Sequence, residues 1–376
     1  MSSEPSNRSF GQRLDHAAER TRPIRVMIVD DSIVARSIFA RMLEGREFEV
    51  VATAAHAESA IGQLATHKVD VILLDIQMPG IDGITALPRI LAASQGARVL
   101  IVSSACDEGG AATVKALALG AADTLLKPGA GAFAGRFAET LTDRLLRIGH
   151  APRSPEPAAA PAPPAAAEPA PHRGPIECLA IGASTGGIHA LSAFFGALPR
   201  DFDAPILVTQ HLPAEFMPYF AAQLHDMTGR KAMVASDGAR LCPGELLVAP
   251  GDGHLRLIRF RDSVRVRIDR TPSVSGCLPS VDPMFASVAE MFGASAAAVV
   301  LSGMGRDGVI GAADIAAAGG EILAQDAGSS VVWGMPGAVA TAGLASAVMP
   351  PERIAQRIGR RARAAAASRA GGRTWR

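Results

Sequence analysis

Short runs rich in Val, Ile and Leu recur along the first part of the chain, each followed by a segment with helical spacing of its apolar residues. IRVMIVD leads into SIVARSIFARMLEG, FEVVATA leads into AESAIGQLATHK, and VDVILLD comes next. Strands that are apolar on both faces, separated by amphipathic helices, predict a parallel sheet covered on both sides. The alternation resumes later: ECLAIGA passes through a Gly-rich turn into GIHALSAFFGAL, and PILVTQ, SAAAVVLS and EILAQD supply further strands. Between the two series, APRSPEPAAAPAPPAAAEPAPHRGP holds too many prolines for a helix and too little apolar bulk for a core, so it reads as an extended linker. The pattern predicts an α/β chain of two domains. The boundaries fall at 1–22 for a disordered N-terminal extension, 23–147 for the first domain, 148–175 for the linker, 176–355 for the second domain and 356–376 for a basic tail. The tail, RIGRRARAAAASRAGGRTWR, has no acidic neighbours and reads as solvated.

Composition narrows the function classes. A length of 376 residues, at about 150 per domain, supports two to three domains. Lys and Arg number 37 against 36 Asp and Glu, a net charge of +1, which removes the electrostatic case for nucleic acid as the main partner. No apolar run is long enough to span a membrane, and MSSEPSNRSFGQRLDHAAER lacks the apolar region of a secretory signal. Cys106, Cys178, Cys242 and Cys277 lie far apart, without metal-binding spacing or the density of a disulfide framework. A reducing cytoplasm is the expected compartment, without membrane insertion.

Polar residues at the carboxyl ends of strands in a parallel sheet face the ligand crevice. In the first domain Asp30 and Asp31 end one strand and Asp75 ends another. Any one of them could be a helix cap, since Asp31-Ser32 precedes a helix. Three together repel unless a hard cation such as Mg²⁺ neutralises them. Ser103 follows the strand ARVLIV, and Lys127 follows TLL. With Asp75 they suit phosphoryl transfer: Asp75 attacks phosphorus, while the hydroxyl and the ammonium take phosphate oxygens.

In the second domain Gly182, Ser184 and Gly186 fit G-x-S-x-G, a sharp turn that exposes a hydroxyl beside helix N-terminal amides. A serine there is also a common helix cap. A nucleophile needs a base, and the base an orienting acid. His211, just past the strand PILVTQ, is the best-placed histidine, whereas His189, His225 and His254 read as surface residues. Asp307 sits in a Gly-rich turn after SAAAVV. The order Ser, His, Asp disfavours a standard lipase or esterase, in which the acid precedes the histidine. Gly303, Gly305 and Gly308 with Asp326 also match a dinucleotide-binding fingerprint, but that motif belongs at the first strand of its domain. Asp237, Asp252 and Asp282 read as turns or caps. HLP and GRDG lack zinc-ligand spacing, so no metal is expected in this second site.

VDDS, LLDIQMPGIDG, VSS and KP, in that order, resemble a response-regulator receiver domain. The resemblance implies a flavodoxin-like five-stranded parallel sheet, Asp75 as phospho-acceptor, Mg²⁺ held by Asp30, Asp31 and Asp75, Ser103 as switch hydroxyl and Lys127 as phosphate contact. Thr124 departs from the aromatic switch residue of many receivers. IGASTGG, TQHLP, VAPGDGHL, PSVDPMF, LSGMGRDG and AQDAGSSVVWGMPGAV are similar, in order, to the chemotaxis protein-glutamate methylesterase domain. Joined by a linker, the two resemble the CheB family over about residues 23–350. That resemblance implies a doubly wound, mostly parallel catalytic domain with catalytic Ser184, His211 and Asp307, and backbone around Met304 and Thr185 near the oxyanion. It implies demethylation and deamidation of chemoreceptor side chains under control of a sensor histidine kinase. The alternative from another class is a receiver-controlled adaptor whose triad is vestigial.

Overall fold

In a computed structural model of the chain, the structure describes residues 22–45, 47–103, 107–127, 134–150 and 174–371. Most of the N-terminal extension and of the linker lies outside them. Contacts divide the chain into two units, residues 1–104 with 124–151, and residues 105–123 with 152–376.

The first unit is built on a parallel sheet of β1 (Ile24–Val29), β2 (Phe48–Ala54), β3 (Val71–Asp75), β4 (Arg98–Ser103) and β5 (Asp123–Leu126), in the order β2-β1-β3-β4-β5. Helices α1 (Ile33–Met42), α2 (Ala57–Leu64) and α3 (Gly83–Ala93) connect the early strands. Val26–Val29, Val71–Leu74 and Val99–Val102 are buried throughout, as continuous apolar strands demand. The strand order reverses at β1, whose neighbours are β2 and β3, and the ends of β1 and β3 flank the crevice there. Helix α4 (Asp107–Ala118) groups by its contacts with the second unit, against helices introduced below, so the contact division and the 23–147 boundary differ over this helix. Helix α5 (Ala134–Gly149) closes the first unit.

The second unit centres on a seven-stranded parallel sheet. Its strands are β6 (Cys178–Ala183), β7 (Ile206–Gln210), β8 (Ala232–Val234), β9 (Leu246–Val248), β12 (Ala296–Val300), β13 (Glu321–Gln325) and β14 (Ala347–Met349), and their order is β14-β13-β12-β6-β7-β9-β8. An antiparallel hairpin, β10 (His254–Phe260) with β11 (Ser263–Asp269), stands beside it. The helices are α6 (Gly187–Ala197), α7 (Met217–Thr228), α8 (Val281–Phe292), α9 (Val309–Ala317), α10 (Met335–Thr341) and α11 (Pro351–Gly371). Residues of one sheet face, among them Cys178, Ala180, Leu207, Ala298 and Ile322, form a core with the hairpin and with α8, α9 and α10. Helices α6 and α11 pack against each other outside that core. No helix among the described residues is long and apolar enough to cross a membrane.

Helix α11 corrects the basic tail expected over 356–376. Through Gly371 the segment is helical, and Ile354, Ala355 and Ile358 form a buried apolar stripe. Arg357 and Arg361 are buried as well, on Glu321 at the start of β13: Arg357 Nε donates to Oε1 at 2.8 Å and Arg361 Nη1 to Oε2 at 3.0 Å. The acidic partner was invisible locally because it lies on another strand.

Candidate functional site

Parallel pairing of β1 with β3 aligns Val29 with Leu74, so Asp30 and Asp75 leave the sheet side by side. Lys127, just past β5, is held by donation of its N–H to the Ser103 carbonyl at 2.8 Å. Its ammonium bridges the carboxylates, at 2.7 Å from Asp75 Oδ2 and 3.0 Å from Asp30 Oδ2. Burial raises the Asp75 pKa, and the Lys127 bond offsets this only in part. Burial lowers the Lys127 pKa, but its bonds to Asp75 and Asp30 outweigh that and hold the ammonium charged. The cap of α1 is Ser32, whose hydroxyl accepts from Ala35 N–H, so Asp31 is not that cap. Exposed Asp31 joins buried Asp30 and Asp75 with ligand oxygens within 4.8 Å of one another, an all-oxygen set that fits Mg²⁺. Gly83 admits the close approach of α3 to this site, since a Cβ there would lie 2.3 Å from the Asp75 carbonyl oxygen. Ser103 ends β4 and is buried, as is Thr124 on β5.

In the second unit three neighbouring strands, β7, β6 and β12, deliver the other group of residues. Ala183 pairs with Gln210, which brings Ser184 and His211 out at adjoining strand ends. The turn is held tightly: Ser184 N–H donates to Ser302 O at 3.0 Å, and Ser184 O accepts from Gly187 N–H and from Gln210 Nε2. Gly186, the N-cap of α6, lies in the left-handed region, φ 74°, so the helix starts three residues past the serine without a side-chain cap and Ser184 is not its N-cap. Gly303 brings the loop after β12 against the serine, as a Cβ there would be 2.9 Å from Ser184 Cβ. Met304 follows in that loop, and the Thr185 carbonyl accepts from Ser302 Oγ at 2.8 Å.

His211 Nε2 and Asp307 Oδ2 are 2.8 Å apart. Asp307 also accepts from Ser280 Oγ at 2.6 Å and from Val281 N–H at 2.7 Å. Burial would raise its pKa, but the His211 contact and these donors outweigh it and hold the carboxyl well below the usual range. Burial would lower the His211 pKa, but Asp307, with Cys277 also at the ring, carries it up to about 9.

The sequence gives Ser280, His254 and Cys277 no role in this site. His254 corrects the surface reading: it is 1% exposed, its Nδ1 accepts from Ser280 N–H at 2.9 Å, and its Nε2–H therefore donates to Thr271 O at 2.8 Å. The neutral tautomer is fixed, and through Ser280 the ring positions Asp307. Asp282 is buried at the start of α8 and accepts from Gly311 N–H in the first turn of α9, which makes it a cap between elements. Burial and nearby Asp307 push its pKa up to about 6. Asp237 accepts from Ile268 N–H and Asp252 pairs with Arg270, both in exposed settings. Asp326 accepts from Ser329 N–H and Oγ, a local turn. His189 and His225 bind backbone carbonyls from exposed positions.

Fold and sites together define an α/β protein that joins a carboxylate-and-lysine site to a strand-end serine beside a hydrogen-bonded His–Asp pair. The family model for the response regulator receiver domain matches residues 26–132, and that for CheB methylesterase matches residues 179–358. The chain belongs to the CheB methylesterase family, in its receiver-linked form. A protein-glutamate methylesterase/protein-glutamine glutaminase 2 of Caulobacter vibrioides is 43% identical over 347 residues, covering 91% of this chain and 100% of the relative. The corresponding protein of Azospirillum brasilense is 39% identical over 362 residues, 88% of this chain and 91% of its own. The crystal structure of the Thermotoga maritima CheB methylesterase catalytic domain, 35% identical, covers 49% of this chain and 97% of that one with a TM-score of 0.48.

Proposed function

We propose that this chain is a phosphorylation-regulated serine esterase that hydrolyses glutamate γ-methyl esters of chemoreceptors and deamidates receptor glutamines. The observation that carries the mechanism is the His211–Asp307 pair at 2.8 Å, one strand over from Ser184. Ser184 Oγ attacks the ester carbonyl while His211 takes its proton. Nε2 is committed to Asp307, which assigns the proton transfer to Nδ1. The oxyanion forms against backbone amides around Met304 and Thr185, a contribution of about 3–4 kcal/mol per donor in such enzymes. His211 then gives its proton to the departing methoxide, which leaves as methanol, or to the amide nitrogen, which leaves as ammonia. A water activated by the same ring attacks the acyl-enzyme, releasing free glutamate and restoring Ser184.

In the receiver, a sensor histidine kinase phosphorylates Asp75. Asp30, Asp31 and Asp75 would hold Mg²⁺, which neutralises phosphoryl charge, while Lys127 and Ser103 take phosphate oxygens. Phosphorylation shifts an equilibrium between a less active and a more active state without altering the triad. The chain acts in the cytoplasm, where receptor signalling domains lie.

Methanol release from a methylated receptor fragment, measured with and without phosphodonor and Mg²⁺, tests the reading. Release that Ser184→Ala abolishes and phosphodonor raises supports it. A verified substrate that yields no methanol under either condition sinks it.

A further inference from the structure

Cys277 takes part in none of these steps, yet it lies inside the site. A ring nitrogen of His211, Cys277 Sγ and a carboxylate oxygen of Asp307 are within 4.8 Å of one another. The thiol is held by its loop: Ser273 Oγ donates to Cys277 O at 2.9 Å, and Cys277 N–H donates to Ser275 Oγ at 3.4 Å. The acid is held separately, by Ser280 and Val281. Thiolate, imidazole and carboxylate from three separate segments are the donors that borderline-soft, tetrahedral cations select, Zn²⁺ above all.

The geometry admits such an ion. Metal–ligand bonds of about 2.0–2.3 Å set ligand atoms about 3.3–3.7 Å apart. The His211–Asp307 contact of 2.8 Å has to open by about half an ångström, and the other separations close by no more than about 1.5 Å. The Ser280 hydroxyl on Asp307 Oδ1 already supplies the outer hydrogen bond that ligating carboxylates take.

We propose that His211, Cys277 and Asp307 form an inhibitory site for Zn²⁺ or a like thiophilic divalent cation, with water in the fourth position. The all-oxygen cluster of Asp30, Asp31 and Asp75 selects a hard ion, so the two sites answer to different metals. The cation replaces the proton on Nε2 and breaks the His211–Asp307 hydrogen bond; that proton and the thiol proton leave to solvent, and the ring keeps its remaining proton on Nδ1. His211 then has nothing with which to accept the Ser184 proton. This inhibition rests on the esterase reading above, whereas metal binding itself does not.

The test uses the full chain. Methanol release in saturating Mg²⁺ is titrated with ZnCl₂ and reversed with EDTA, for wild type, Cys277→Ala and Cys242→Ala, each relative to its own zinc-free rate. Separately, CoCl₂ is added and the thiolate-to-cobalt charge-transfer band recorded, a readout that needs no ester substrate. Wild type and Cys242→Ala are expected to lose activity reversibly and to show the band. Cys277→Ala is expected to lack the band and to need at least about 10- to 100-fold more zinc, the range for losing even an outer-shell partner. Equal zinc sensitivity in wild type and Cys277→Ala overturns the proposal, as does a cobalt band indifferent to Cys277. A Cys277-dependent band with undiminished methanol release overturns the inhibitory role. Absence of methanol from every variant before zinc is added would instead count against the esterase reading, leaving the cobalt spectra to decide on the metal.

Discussion

The His211–Asp307 pair fixes a pH dependence that methanol release reads directly. Burial alone would lower the imidazole pKa, but the Asp307 bond, with Cys277 beside the ring, carries it from 6.5 to about 9. At pH 7 the ring then sits two units below its pKa and is about 1% neutral. Only the neutral ring accepts the Ser184 proton, so kcat/KM is expected to rise close to tenfold between pH 7 and pH 8 and to reach about half its plateau near pH 9. The Ser184→Ala protein supplies the background of spontaneous hydrolysis at each pH. Asp307→Asn removes the charge that holds the imidazolium. Burial then dominates, the pKa drops below 6.5 and the profile flattens over pH 7–9, while the rate falls by about 10⁴-fold as the wrong tautomer is favoured. A wild-type profile that is level from pH 7 to pH 9 refutes the reasoning, as does an Asp307→Asn profile that keeps the tenfold slope. The same group acts on stability in the opposite sense. Its folded pKa lies above its unfolded value, so its contribution is complete below about pH 6.5 and disappears as pH rises through about 9. Activity is therefore gained across the window in which this stabilisation is lost.

Other outcomes follow from the remaining features. Asp75→Asn is expected to keep the basal, Ser184-dependent rate and to abolish stimulation by a small-molecule phosphodonor with Mg²⁺; stimulation that survives counts against the receiver assignment. Deleting residues 1–175 is expected to raise the basal rate, and an unchanged rate contradicts restraint of the esterase by the receiver. Glu321→Gln removes the buried carboxylate that Arg357 and Arg361 share, at a cost of about 3–5 kcal/mol. Calorimetry of the second unit should show a Tm lower by about 6–20 °C, at about 2–4 °C per kcal/mol for a domain of this size, and a shift below about 2 °C contradicts the buried pairing.

The sequence made the frame legible because a parallel sheet writes itself twice, as apolar runs and as polar residues where those runs stop. Asp75 ends its strand, Asp30, Lys127, Ser184 and His211 each follow a strand by one residue, and Asp307 lies in the loop seven residues past β12. Ser280, His254 and Cys277 carry no such mark. They reach Asp307 and His211 from a loop and a hairpin whose placement depends on tertiary packing, and no local spacing encodes it. Helix α11 was legible in part. Alanine and arginine are strong helix formers, and Ile354 and Ile358 are spaced by one turn. The run of charges masked this, because the carboxylate that neutralises it sits on β13.

The central strand of the catalytic sheet, β6, is flanked by β7 on one side and by β12 on the other, although β12 arrives much later in the chain. Ser184 is therefore synthesised long before Asp307 and before Ser302, whose carbonyl holds its turn. A nascent chain on the ribosome carries the serine without its acid until most of the protein has emerged, and the closing pairing of β6 with β12 is a long-range contact, the kind that forms slowly. On the proposed mechanism the Ser184 hydroxyl is thus armed only once β12 has paired with β6, and a product truncated before β12 would carry the receiver sheet but lack the acid.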